Sequence, residues 1–312
     1  MTRKQAMHEV EAALARIPDL ARQPRDGVTW ERLGGLTNRV YKVTARDAAY
    51  VLRIPGEGTS AYIDRQVEAH NACVAAAAGV GAEVLFVDAN DGLMLTRYLP
   101  GCVTMSPARF RARSGAPARA AKALKRMHEC GQTFQFRFEL FGMIDEYRRL
   151  LKQRDAPLPD GYDAAVAEAQ SLRKVLGKSP PPLAPCHCDP LAENFLDDGS
   201  RMWIVDWEYS GMNDPIWDLG DVSVEAEFDE AQDREMMAAY GDGTVSEALY
   251  GRMVIYKAMC DLLWTLWGLI QHADNNPADD FWAYSMRRFA RCRTLMAGDR
   301  FSESVAAVDR NA

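Results

Sequence analysis

An acid and an amide five residues apart, with a second acid downstream, are the side chains in this sequence best equipped for chemistry. Asp189 and Asn194 sit in His187-Cys188-Asp189-Pro190-Leu191-Ala192-Glu193-Asn194, and Asp206 closes the apolar run Met202-Trp203-Ile204-Val205, twelve residues past the amide. Phosphoryl transfer needs this equipment: a carboxylate to orient and deprotonate a hydroxyl, and an amide and a carboxylate to hold Mg²⁺ on the phosphates. Asp189 is the candidate base, His187 a second candidate catalytic residue, and Asn194 and Asp206 the candidate metal ligands. Structural readings compete with each. Asp-Pro is a common turn, Asp206 could simply end a buried strand, and His187 could serve only to brace the loop backbone. Cys186 and Cys188 flank His187, but structural zinc takes four ligands, usually in two close pairs. The next cysteine is Cys260, so zinc is not expected.

The Asp-to-Asn interval equals that of the protein-kinase catalytic loop. The ordered set His187, Asp189 and Asn194, then Ile204-Val205-Asp206-Trp207-Glu208-Tyr209-Ser210, then Asp218-Leu219-Gly220 resembles the choline/ethanolamine kinases, within the larger group of aminoglycoside-phosphotransferase-like kinases. The resemblance covers nearly the whole chain. It implies an α+β, two-lobed, protein-kinase-like fold, with a small antiparallel-sheet N-lobe over residues 1–100 and a larger, mainly helical C-lobe over residues 101–312. It implies ATP and Mg²⁺ as cofactors and a small cationic alcohol, choline or a related amino alcohol, as acceptor. Glu208-Tyr209-Ser210-Gly211 stands where a protein kinase has the rest of Asp-Phe-Gly, so no switchable phenylalanine is expected. The rivals are the same chemistry on ethanolamine, thiamine or an aminoglycoside, a nucleotide-binding pseudokinase, and a scaffold. The intact set of Asp189, Asn194 and Asp206 argues against the last two.

The elements that must position these groups follow in chain order. Met7, Val10, Leu14 and Ile17 recur at helical spacing, and Pro18 ends that run. A strand leading to Leu33-Gly34-Gly35-Leu36-Thr37-Asn38 and a second at Val40–Val43 frame a glycine turn that lets backbone N–H groups approach phosphates. An ordinary hairpin is the plainer reading. The turn resembles Gly-Gly-x-Thr/Ser-Asn of choline kinases, which puts Gly34, Gly35, Thr37 and Asn38 near the nucleotide. Arg53, on a strand over residues 49–54, stands where protein kinases carry their phosphate lysine. Its expected partner is Glu68, on a helix marked by Ile63, Val67, Asn71 and Val74. Two further strands, 83–87 and 93–98, flank the Asn90-Asp91-Gly92 turn. Arg97 and Leu99, two residues apart, then offer a backbone donor and acceptor for an adenine edge, before the break at Pro100-Gly101.

Beyond the break, helices are expected over 118–130, 143–153 and 164–175, with His128 as a helix-end residue. Asp218 is expected to tether the loop, a helix cap being the alternative. Late in the chain Trp264 and Trp267 share a helix face. Two tryptophans at that spacing are more often core than site. Choline kinases carry the same Trp-x-x-Trp followed by aromatics, here Phe281, Trp282 and Tyr284. The resemblance therefore implies a cage for a cationic head by cation–π attraction, with Glu225 beside it.

The bulk properties bound the partners. At 312 residues with 48% hydrophobic and 26% charged content, the chain is long enough for two cores. A net charge of −7 argues against a nucleic-acid backbone as main partner. Seven scattered cysteines read as reduced thiols. Residues 1–20 carry charges throughout, and the run Leu262–Ile270 falls short of the ~20 residues a membrane span needs. A cytoplasmic protein without a membrane partner is expected. Its oligomeric state stays open, with a homodimer admissible.

Overall fold

Period-two alternation builds the N-terminal sheet. The computed structural model describes residues 3–21, 27–34, 38–45, 48–56, 58–59 and 63–311. Strands β1 (Val28–Gly34), β2 (Arg39–Ala45), β3 (Ala48–Ile54), β4 (Val84–Val87) and β5 (Met94–Arg97) form a five-stranded antiparallel sheet in the order β1-β2-β3-β5-β4. In β2, Tyr41, Val43 and Ala45 point inward and are buried, while Lys42 and Thr44 stay partly exposed. Helix α1 (Arg3–Ala15) covers that face with Val10 and Ala13. Ile17 and Leu20 extend the cover through the short helix α2 (Pro18–Ala21). Met7, expected on the buried stripe, is exposed at 38%, and Ala6 takes its place. Helix α3 (Arg65–Ala77) begins where the Asp64 carboxylate accepts the N–H groups of Gln66 and Val67, which puts Glu68 in its first turn.

The chain divides into two compact units. One is Met1–Cys102 together with Val205–Glu208, and the other is Val103–Ile204 together with Tyr209–Ala312. The second unit holds β6 (Val103–Thr104), α4 (Pro107–Ala112), α5 (Ala116–His128), α6 (Leu140–Gln153) and α7 (Tyr162–Lys178). The strands β7 (Ala184–Cys186), β8 (Phe195–Asp197), β9 (Met202–Ile204) and β10 (Gly211–Asn213) follow. Then come α8 (Ile216–Glu225), α9 (Glu230–Tyr240), α10 (Glu247–Ala273), α11 (Phe281–Met296) and α12 (Asp299–Arg310). Strands β6, β8 and β9 form one small sheet, and β7 pairs with β10.

Helix α10 is the axis of this unit, packed by α6, α7, α8, α11 and α12. The apolar run at Leu262–Ile270 is only its middle. By length and composition α10 could span a membrane, yet 89% of its apolar window is buried inside the protein. It is a core helix, with most of its residues buried. Gly268 on α10 is needed for close approach: a Cβ there would lie 2.6 Å from the Tyr284 ring of α11.

Candidate active site

The His187–Asn194 loop runs between β7 and β8 and is held from beneath. Asp218, in the first turn of α8 and fully buried, accepts the backbone N–H groups of His187 at 2.7 Å and Cys188 at 2.8 Å. Its Oδ2 also lies 3.0 Å from His128 Nε2, whose Nδ1 meets the Tyr240 hydroxyl at 2.9 Å. The tether expected of Asp218 is thus present, and the cap alternative is not, because the carboxylate serves another segment. His128 is the last residue of α5 and forms part of this support. Cys188 takes the left-handed conformation (φ 67°), and its carbonyl accepts from the Trp217 indole at 3.1 Å. The loop therefore turns sharply just before Asp189. Asn194 donates its side-chain amide to the Asp189 carbonyl at 3.1 Å. Burial pushes the Cys186 and Cys188 thiols well up, so neither is a ready nucleophile. His187 is 1% exposed.

Replacing Asp218 by Asn keeps the shape but loses the charge and one acceptor oxygen. Unsatisfied buried groups cost about 1–3 kcal/mol each. Urea unfolding of Asp218→Asn is expected to show a loss of that order; an unchanged midpoint would remove the tether.

In the first unit, five charges converge. Arg53 pairs with Glu68 through Nη1, and Arg65 reaches Glu68 at 2.7 Å and Glu208 at 2.5 Å. Asp206 lies 3.4 Å and Glu208 3.7 Å from Arg53. Arg53 Nη2 also donates to the Gly92 carbonyl at 3.2 Å. Gly92 (φ 84°) must lack a side chain, since a Cβ would meet Arg65 Cδ at 2.6 Å. Carboxylate oxygens of Glu68, Asp206 and Glu208 come within 4.8 Å of one another. Enclosure by the surrounding chain and repulsion from Glu208 push the Asp206 carboxyl up to about 7, against the pull of Arg53. Because 38% of that side chain still meets solvent, the repulsion is the firmer of the two causes. Arg65 and Glu208 were missed as cluster members from sequence. Glu208 lay in plain view two residues past Asp206, whereas Arg65 carried no signal.

The remaining nucleotide candidates are spread over the first unit. Asn38 is buried, and its Oδ1 accepts the Gly56 N–H at 3.3 Å, bracing the segment after β3. Gly34 ends β1 with φ 149°; Gly35 and Thr37 lie outside the described residues. The Arg97 N–H donates to the Glu83 carbonyl at 2.9 Å, and its side chain pairs with Glu83. Only the carbonyl of Arg97 can therefore serve an adenine edge, with the N–H of half-buried Leu99 two residues on.

Aromatic residues gather in the second unit. The Trp267 ring lies 5.6 Å from Phe281, 5.9 Å from Tyr284 and 6.5 Å from Trp264, all edge-on. Its indole donates to the Tyr209 hydroxyl at 3.1 Å, and Tyr209 stacks edge-on against Trp264 at 5.4 Å. Tyr209, Trp267 and Tyr284 stay partly exposed, whereas Trp264 and Phe281 are buried behind them. Trp282 is a correction. It is exposed and packs on His272 instead, because one step along a helix turns a side chain by about 100°. Tyr209 is the member missed from sequence, although it directly follows Glu208. Glu225 ends α8 and is ion-paired with Arg288. Burial pushes the Tyr284 hydroxyl up; Arg288 opposes this, while Glu225 and Asp189 add to it. Asp189 is therefore within electrostatic reach of Tyr284.

Residues 29–253 match the model of the phosphotransferase enzyme family, APH. A choline/ethanolamine kinase family protein from Mesorhizobium loti is 56% identical; the alignment covers 97% of this chain and 99% of that one, with a TM-score of 0.89. Choline kinase LicA from Streptococcus pneumoniae is 27% identical over 93% of this chain and 99% of its own, with a TM-score of 0.78. Protein LicA of Haemophilus influenzae is 28% identical over 274 residues, 84% of this chain and 78% of that protein. The small antiparallel sheet followed by a mostly helical remainder is accordingly a kinase-like fold. By the family match and the 56% identity, the chain belongs to the phosphotransferase enzyme family and, within it, to the choline/ethanolamine kinases, which makes it a small-molecule kinase acting on an alcohol group.

Proposed function

We propose that the chain transfers the γ-phosphoryl group of Mg·ATP to the hydroxyl of choline. The observation that carries this reading is the partly exposed aromatic group of Tyr209, Trp267 and Tyr284, within electrostatic reach of Asp189. Aromatic faces attract a trimethylammonium head, which has no N–H donors and is weakly hydrated. A primary ammonium loses three hydrogen bonds on entering such a site and needs acceptors to replace them.

Asp189 accepts the hydroxyl proton as the substrate oxygen bonds to the γ-phosphorus. The bond from that phosphorus to the bridging oxygen breaks, and ADP leaves. His187, buried beneath, supports the loop. Asp206 and Asn194 are the proposed Mg²⁺ ligands. Hard oxygen donors suit that ion, and the crowded carboxylates of Glu68, Asp206 and Glu208 make a local negative excess that a cation relieves. When bound, Mg²⁺ would neutralise charge on the transferring phosphates. Arg53, held by Glu68, is the proposed phosphate contact, a guanidinium being suited to phosphate. The Arg97 carbonyl and Leu99 N–H are the proposed adenine contacts.

ADP release across a panel of amino alcohols and antibiotics tests the reading. Choline is expected to be the best acceptor, and equal use of ethanolamine would overturn the preference. Asp206→Ala is expected to raise the Mg²⁺ requirement and cripple transfer. The carboxyl near pH 7 adds a sign. Proton and metal compete for it, so the wild-type Mg²⁺ requirement should rise as pH falls from 8 to 6. A flat Mg²⁺ titration over that range would remove Asp206 from the ligand set.

A further inference from the structure

Behind the aromatic group sits a second buried charge cluster that phosphoryl transfer does not use. Asp221, Glu225 and Cys260 bring ligand-type atoms within 4.8 Å of one another, an arrangement that invites a metal. The chain already supplies the cation. The buried Arg288 guanidinium pairs with Glu225 through Nη2 and with Asp261 through Nη1 at 3.0 Å, and lies 3.9 Å from Cys260 Sγ. It also stands 4.8 Å from the centre of the Tyr284 ring. Asp261 has a second partner in Arg291 at 2.6 Å. Asp221 accepts from the Cys260 thiol at 2.9 Å, and its other oxygen has no partner among the described residues. Burial and the neighbouring Glu225 push its carboxyl well up. Two carboxylates, Glu225 and Asp261, face two guanidiniums, Arg288 and Arg291.

We propose that Arg288 is a specificity-determining positioning residue: by occupying Glu225 and standing over the Tyr284 ring, it withholds the Glu225 carboxylate from the substrate head. This rests on the choline reading above and deepens it. A quaternary ammonium needs only ring faces. A primary ammonium needs acceptors, and the Glu225 carboxylate is already engaged by Arg288. Neutralising Arg288 would free Glu225 for an N–H-bearing head.

The test is a double-mutant cycle on kcat/KM for choline and for ethanolamine, with thermal melts and the KM for ATP as controls. Arg288→Gln is expected to lower the choline-to-ethanolamine ratio by about tenfold or more, chiefly through KM. Glu225→Gln strands the guanidinium charge beside the rings and should raise the choline KM about tenfold. The double variant, Glu225→Gln with Arg288→Gln, should return it to within about threefold of wild type. An unchanged ratio in folded Arg288→Gln, or a double variant as impaired as Glu225→Gln, overturns the proposal. If Arg288→Gln does not fold, the comparison of Glu225→Gln with the double variant decides. If neither variant at 288 folds, Arg288→Lys decides. It keeps the charge as a point-like ammonium, so the wild-type preference should hold within about threefold, and a tenfold change overturns the proposal. A wild type that turns over ATP with neither alcohol sinks the choline reading itself, whereas choline turnover without coupling in the cycle sinks only the role of Arg288.

Discussion

Asp189→Asn should reduce turnover by about 10²–10⁴-fold or more, the range that general-base and positioning roles together supply. Asn is nearly the same shape, and the loop is fixed by groups that the change leaves alone. Asp218 grips the backbone of His187 and Cys188, and Asn194 binds the Asp189 carbonyl, not its side chain. The melting temperature should therefore stay close to wild type. The affinity for Mg·ATP, measured by titration, should stay within a few-fold. Such a split between a lost kcat and a retained nucleotide affinity is what a proton acceptor predicts. Retention of most activity would remove the catalytic assignment.

Trp264→Ala and Trp267→Ala should fail in different ways, although the residues are one helical turn apart. Trp264 is 3% exposed and packs within α10's covered face. Truncating a buried tryptophan costs about 3–5 kcal/mol, a large part of the ~5–15 kcal/mol that holds an ordinary domain together. A marked loss in urea unfolding is expected, with a choline KM close to wild type in whatever folds. Trp267 is only half-buried and touches Tyr284, Phe281 and Tyr209. A ring contributes about 0.5–2 kcal/mol to a quaternary cation. At ~1.4 kcal/mol per decade, Trp267→Ala should raise the choline KM by about two- to thirtyfold, with smaller effects on ATP. The reverse assignment, KM moved by Trp264 and stability by Trp267, would mean that the cation meets a different face of the aromatic group.

Much of this was legible before any coordinates because local chemistry carries it. The Asp189-to-Asn194 interval and the Trp264/Trp267 spacing lie within a single loop and a single helix, where residue spacing alone fixes proximity. Strand alternation around Tyr41 and Val43 and the Asn90-Asp91-Gly92 turn likewise encode the small sheet locally. The Arg53–Glu68 pair was reachable only because the resemblance named both partners. What the tertiary structure decided are the contacts between segments far apart in the chain. Arg65 with Glu208, Asp218 with the His187–Cys188 backbone, Tyr209 with Trp267, and Arg288 with Glu225 are separated by 143, 31 and 30, 58, and 63 positions. No periodicity links such residues. Their pairing follows from how helices and strands pack, and buried charges can sit there only once a partner from another element arrives. Trp282 shows the same limit from the other side. Its residue type suits the cage, but it stands one step round α11 from Phe281 and packs on His272. Composition names the groups able to bind a cation; which of them share a surface is settled by packing.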